Sequence, residues 1–139
     1  MRRIATVTIS TGLVLIYLSA SSASASAKNW ETTGAYKAVQ AGGTYTRGSG
    51  KVTISGWLQD DKSNGWAAAV QFRTTEGDGR HTSEVFFFLS NGIPADLKYH
   101  QDYGKFFTSD YTTHLYAREC GVTPDKKRTT KCADWQKIY

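Results

Sequence analysis

The sequence predicts an all-β fold, a small antiparallel β-sandwich or barrel of about 6–8 strands, with one disulfide closing the C-terminal hairpin. Three observations lead there. Apolar and polar residues alternate with period two in several short runs, separated by Gly- and Asn-containing turns roughly every 8–12 residues. No window of a dozen residues places apolar side chains at helical spacing without a turn cluster inside it. The only two cysteines, Cys120 and Cys132, flank a cation-rich loop near the end of the chain.

The chain has 139 residues, which suits one domain. Residues 1–27 read as an export signal. Met1-Arg2-Arg3 supplies a positive start, Ile4 to Ala20 is uncharged and largely apolar, and Ser21 to Ala27 offers A-x-A cleavage sites at Ala25 or Ala27. The apolar run is interrupted by Thr and Ser and falls short of the ~20 residues a membrane span needs. The expectation is therefore a secreted, extracellular product with no membrane attachment after cleavage. Removing Arg2 and Arg3 lowers the formal net charge from +5 to +3. A charge of that size is ordinary for solubility and does not announce a nucleic-acid binder.

Residues 28–34 have little periodicity and read as an extended N-terminal arm, with Trp30 either tucked onto the core or offered to a partner. The β-domain is expected over residues 35–139. Ala35 to Gln40 and Thr44 to Arg47 are short β-prone runs around Gly42-Gly43. The clearest strand follows, with Val52, Ile54, Gly56 and Leu58 on one face and Trp57 on the polar face. Asp60 to Gly65 is a turn, because Asp and Asn bond their own backbone and Gly accepts positive φ. Trp66 to Arg73 returns as a strand with Ala68, Val70 and Phe72 inward, and the two runs are expected to form a hairpin.

Glu84 to Ser90 is apolar on both faces, the pattern of a strand covered on both sides, which is central or lies under a loop or partner. Tyr99 to Phe107 is aromatic-rich but irregular, so no strand is assigned to all of it. Tyr111 to Cys120 and Ala133 to Ile138 complete the set. In an exported domain the two cysteines are expected to form one disulfide. Closing a ring of that size stabilises by about 3 kcal/mol on chain-entropy grounds.

Catalytic patterns are weak. There is no G-x-S-x-G elbow and no C-x-x-C or H-x₃-H metal spacing, so neither a metal nor a cofactor is expected. Glu84, Arg80 and His114 could be cast as the Glu, Arg and His of a small secreted ribonuclease, but only as residue types. The contact candidates are Trp30, Trp57, Tyr116 and Arg118, since aromatics beside arginine are common interface anchors. The basic tip, Lys126, Lys127, Arg128 and Lys131, could meet an anionic surface or only guard a sheet edge. No aromatic interleaves with these cations, which argues against nucleic acid.

The export signal, the compact β-pattern and the closing Cys120…Cys132-Ala-Asp-Trp135 hairpin resemble small secreted proteins of filamentous actinobacteria. One such group is the small adaptor subunit of secreted antibacterial umbrella toxin particles. That resemblance implies a β-domain with an N-terminal extension linking a lectin-bearing subunit to a large repeat-containing one, and it transfers no site residue. The expected function is a non-catalytic secreted domain that binds other secreted proteins, as an adaptor in a toxin complex. The alternatives are a binder of glycan or anionic cell-wall polymer, and a small ribonuclease-like toxin.

Overall fold

Burial alternates along Lys51–Asp60, with Val52, Ile54, Leu58 and Asp60 inside and Thr53, Ser55, Trp57 and Gln59 toward the other face. This two-residue period organises the whole molecule. A computed structural model describes residues 25–34, 36–125 and 127–139. The expected signal segment falls almost entirely outside the described residues, and Lys126 is outside them as well.

The strands are β1 (Lys28–Glu31), β2 (Val39–Gly48), β3 (Lys51–Asp60), β4 (Ala67–Thr75), β5 (His81–Phe87), β6 (Leu89–Ser90), β7 (Ile93–Pro94), β8 (Tyr99–Ser109), β9 (His114–Val122), β10 (Thr130–Cys132) and β11 (Gln136–Lys137). One antiparallel sheet has the order β1-β2-β3-β8. The other has the order β10-β9-β4-β5, with β11 also paired to β9, and β6-β7 form a small separate ribbon. The inner faces of the two main sheets share one core, in which Val39, Ala41, Ile54 and Leu58 meet Val70, Phe72, Leu115 and Ala117. The all-β expectation holds, and the architecture is a sandwich.

Three expectations are corrected. First, β3 and β4 do not form a hairpin. β3 pairs with β2 and β8, whereas β4 pairs with β5 and β9, so the turn after Asp60 carries the chain from one sheet to the other. Period two shows which face is buried but does not say which strand lies alongside. Second, of the two expected positions for β5 the central one is ruled out, because it is an edge strand. Its second apolar face, Val85 and Phe87, is covered by a small outer cluster with Ala69, Val122 and the disulfide. Third, Tyr99–Ser109 is a full strand of 11 residues. Its irregular pattern matches the bulge where β8 runs against β3 between Ile54 and Gly56.

That bulge adjoins a glycine pair. Gly43 and Gly56 face each other across β2 and β3. A Cβ on Gly56 would lie 1.9 Å from the Gly42 carbonyl oxygen, and one on Gly43 2.1 Å from that of Ser55. No side chain fits there, so the two backbones close together. The same Ser55 carbonyl accepts a hydrogen bond from Trp30 Nε1 at 3.1 Å.

The 28–34 segment is therefore not an open arm. Lys28–Glu31 is the outer strand of the four-stranded sheet, in register with Gly42–Tyr45. Trp30 is only 5% exposed and stands edge-on to Phe72 with ring centres 5.1 Å apart. Just beyond, the buried Glu119 carboxylate accepts the backbone N–H of Gly34 and, at 2.8 Å, that of Tyr36. At the other end of the chain, Cys120 and Cys132 are directly opposite each other on β9 and β10 and are joined by the expected disulfide.

Candidate functional site

The sequence-based contact residues separate onto three parts of the molecule. Trp30 is in the core and is removed from the contact set, because its ring fills the space between the sheets and its N–H is used internally. Trp57 lies on the outer face of the four-stranded sheet. It leans over Gly42, where a Cβ would come within 2.9 Å of the indole, and stacks with His100 at 5.4 Å. Tyr116 and Arg118 are on the outer face of the other sheet, so Trp57 and Tyr116 do not share a surface.

The basic tip is organised around Asp125. Its carboxylate accepts the N–H groups of Lys127 and Arg128 at 2.8 and 3.0 Å and the Thr123 hydroxyl at 2.9 Å. These bonds, Thr123's foremost, hold the Asp125 acid below its ordinary range. The cations are partly engaged within the chain. Arg128 donates to the Gly92 carbonyl at 2.9 Å and lies over Phe87, and Lys131 lies over Trp66. This tip is fastened to the ribbon and the outer cluster, away from Tyr116.

Tyr116 and Arg118 are the two predicted residues that the fold brings together, and it adds three that the sequence reading missed. Alternation sends His114, Tyr116 and Arg118 of β9 to the outer face, since Leu115, Ala117 and Glu119 are buried between the sheets. Register then sets Arg73 of β4 opposite Tyr116, and Gln71 opposite Arg118. The turn after the disulfide brings Trp135 onto both arginines. The Arg73 guanidinium is 4.9 Å from the Tyr116 ring centre and 4.5 Å from that of Trp135, and the Arg118 guanidinium is 4.2 Å from Trp135. Cation and aromatic thus alternate in the order Tyr116, Arg73, Trp135, Arg118.

The row is held from below. Gln71 Oε1 accepts Arg118 Nε at 2.9 Å and Nη2 at 2.7 Å, and Gln71 Nε2 donates to Ser83 Oγ at 2.7 Å. Each cation–aromatic contact contributes about 0.5–2 kcal/mol, more as water is excluded. The charges themselves are left uncompensated. Among the described residues neither Arg73 nor Arg118 forms an ion pair, and Arg73 Nε is buried with no hydrogen-bond partner. Burial, and then the neighbouring Arg73 charge, push the Arg118 guanidinium below its usual range, with Asp134 acting weakly the other way. Two half-buried like charges side by side make a place where an incoming carboxylate, sulfate or phosphate gains more than it would on an open surface.

The residue types of a ribonuclease do not converge here. Glu84 is opposite the core residue Phe72, whereas His114 is opposite Thr75 on the outer face and bonds its hydroxyl at 3.2 Å. Arg80 pairs with Asp78 at 2.7 Å. Among the described residues no three His, Cys, Asp or Glu side chains are placed to hold a metal ion.

The missed residues had one partial signal. Arg73 was on the polar face of its predicted strand and Trp135 was three residues after Cys132, but only cross-strand register and the turn after the disulfide make them neighbours. Comparison with protein-family models, with characterised proteins and with solved structures finds no match to this chain.

Proposed function

We propose that this chain is a secreted, non-catalytic β-domain that binds another protein through the outer face of its five-stranded sheet, in the manner of an adaptor within a toxin complex. The observation that carries this reading is the unpaired Arg73 and Arg118 held on Trp135. Arginine and tryptophan packed together on a rigid sheet are the residue types that dominate protein interfaces. An acidic side chain or chain terminus on the partner would supply the missing counter-charge with bidentate geometry. The disulfide is compatible with an extracellular setting. The resemblance to adaptor subunits supplies the class of partner, another secreted protein.

The test is affinity capture from the culture fluid of the producing organism, using the wild-type chain and an Arg73→Ala/Arg118→Ala double variant. The expected result is a defined protein retained by the wild type and lost, by at least tenfold, with the double variant. Retention that weakens as salt is raised fits the charge argument. A wild-type chain that runs alone and captures nothing overturns the reading. Binding instead to isolated cell-wall polymer, with the same dependence on Arg73 and Arg118, moves it to the glycan and anionic-polymer alternative.

A further inference from the structure

Three pairs in the chain put an Asn or Asp side chain directly ahead of a glycine nitrogen: Asn64-Gly65, Asp78-Gly79 and Asn91-Gly92. Such a pair can close a five-membered succinimide ring, because glycine has no Cβ to hinder the approach of its nitrogen to the side-chain carbon. Asparagine is accordingly one of the chemically labile residues. Ring closure needs a side chain free to swing and a glycine N–H free to react, and hydrogen bonds can withhold both.

At two of the pairs the fold withholds both. Asn64 is tied at each end of its amide, with Nδ2 donating to the Lys37 carbonyl at 2.8 Å and Oδ1 accepting the Trp66 N–H at 3.1 Å. The Gly65 N–H donates to Asp96 Oδ2 at 2.6 Å. Asp78 accepts the Arg80 N–H at 3.1 Å on one oxygen and Arg80 Nε at 2.7 Å on the other. The Gly79 N–H donates to the Glu76 carbonyl at 3.1 Å. All three pairs are exposed, so hydrogen bonding and not burial distinguishes them.

Asn91-Gly92 has neither restraint. Among the described residues the Asn91 side chain makes no hydrogen bond, the Gly92 N–H has no acceptor, and a Cβ on Gly92 would meet nothing within 4 Å. The two residues form the turn between β6 and β7, with φ of 51° and 76°, the left-handed pair that Asn-Gly hairpins adopt. The ribbon they close is two residues deep on each side and belongs to neither main sheet. Ring closure requires the Asn91 backbone to leave the turn conformation, and so short a ladder opens at little cost. Arg128 Nη2 holds the Gly92 carbonyl at 2.9 Å, which leaves the reacting atoms free.

We infer that Asn91 is a site of covalent self-modification, at which the folded chain converts its own asparagine to aspartate and isoaspartate. The Gly92 nitrogen attacks Asn91 Cγ as its proton passes to hydroxide, and the side-chain amide leaves as ammonia. The succinimide then adds one water. Opening at Cγ gives aspartate, and opening at the backbone carbonyl gives isoaspartate, in which the chain runs through the former side chain. No oxidant or cofactor enters, and either product carries one new carboxylate. That charge arrives beside the basic tip. Arg128, which binds the adjoining Gly92 carbonyl and lies over Phe87, has no ion pair among the described residues. The modification gives it a counter-charge and makes this end of the molecule less positive with time. It leaves the arginine face around Trp135 untouched and stands independently of the function proposed for that face.

The experiment incubates the folded, disulfide-bonded chain in warm buffer at pH 8.5 and 5.5 and maps its peptides by mass spectrometry over time. The expected result is an amide-to-acid mass gain at Asn91, at least tenfold faster than at Asn64 and at least tenfold faster at pH 8.5 than at pH 5.5. Isoaspartate should appear with aspartate at that position, detected by labelling with an isoaspartyl methyltransferase. The aged chain should elute earlier from a cation exchanger, where Asn91→Asp elutes from the start. Unfolding in guanidinium chloride should bring the two asparagines to similar rates, because it removes the bonds that protect Asn64. Equal rates at Asn64 and Asn91 in the folded chain, faster conversion at Asn64, or no acid at Asn91 by the time the unfolded chain is fully converted would each overturn the assignment.

Discussion

Two carboxylates lie inside this sandwich, and their surroundings are opposite. Glu119 is at the N-terminal clasp, where both of its oxygens accept backbone N–H groups, from Gly34 and Tyr36. Asp60 is at the crossover between the sheets, where the Lys62 and Ala68 N–H groups act on its carboxyl but Oδ2 makes no close hydrogen bond among the described residues. Equal burial gives unequal consequences, because the cost of enclosing a charged group depends on how many donors enclose it with the charge. The first carboxylate closes the structure. The second is held with fewer close bonds, and burial raises its acid to about 6.

The clasp region should give the largest effects when broken. Trp30→Ala removes the ring that packs on Phe72 and Phe106, together with the bond to Ser55. A loss of about 3–5 kcal/mol is expected from large-to-small core substitution, read from urea denaturation. Severing the Cys120–Cys132 disulfide, one residue beyond Glu119, tests whether the clasp needs covalent support. The cost expected for a ring of this size is about 3 kcal/mol, measured as the shift in denaturation midpoint of a Cys120→Ala/Cys132→Ala variant.

Glu119→Gln sharpens the contrast further. The amide keeps one acceptor but turns an N–H₂ toward one of the two backbone donors, so about 1–3 kcal/mol should be lost. Amide exchange at Gly34 and Tyr36 should quicken well before that of the central strands. If those two amides keep wild-type protection, the clasp is not what orders the N-terminal segment.

Asp60→Asn should act with the opposite sign and the smallest size. The folded acid, raised to about 6 from an ordinary 3.8, holds its proton better than the unfolded one does. Its stabilising contribution is therefore complete below about pH 4 and is lost as pH rises through about 6. The variant carries no such titration. Its melting temperature should be flat between pH 4.5 and 7 relative to the wild type, and higher than the wild type at pH 8. Glu76, Asp78 and Asp125 are lowered by their hydrogen bonds, foremost those from Thr113, Arg80 and Thr123. They lose stability at the acid end, so the window above pH 4.5 isolates Asp60.

The same division between local and cross-strand information explains what could be read in advance. The strand over Lys51–Asp60, the turn to Gly65, the inward set Ala68, Val70 and Phe72, and the Cys120–Cys132 closure each depend on residues close in sequence or on the pairing of two lone cysteines. They could be read directly. Trp30 could not be placed, because its burial depends on a glycine pair across β2 and β3 and on Phe72 of the other sheet. β8 escaped because a bulge spoils its period. Tyr116 and Arg118 were identifiable as residues of one strand face, but Arg73, Gln71 and Trp135 join them only through β4–β9 register and the turn after the disulfide.

By itself, then, the sequence determined the all-β class, the disulfide that closes the C-terminal hairpin and the inward faces of its two clearest strands, since each follows from a period of two, turn chemistry or covalent bonding. Tertiary structure alone decided which strands lie side by side, and hence the crossover at Asp60, the clasp at Glu119 and the row from Tyr116 to Arg118. The physical reason is that alternation fixes the face a residue presents, while its neighbour is chosen by long-range packing and register, for which a single strand carries no code.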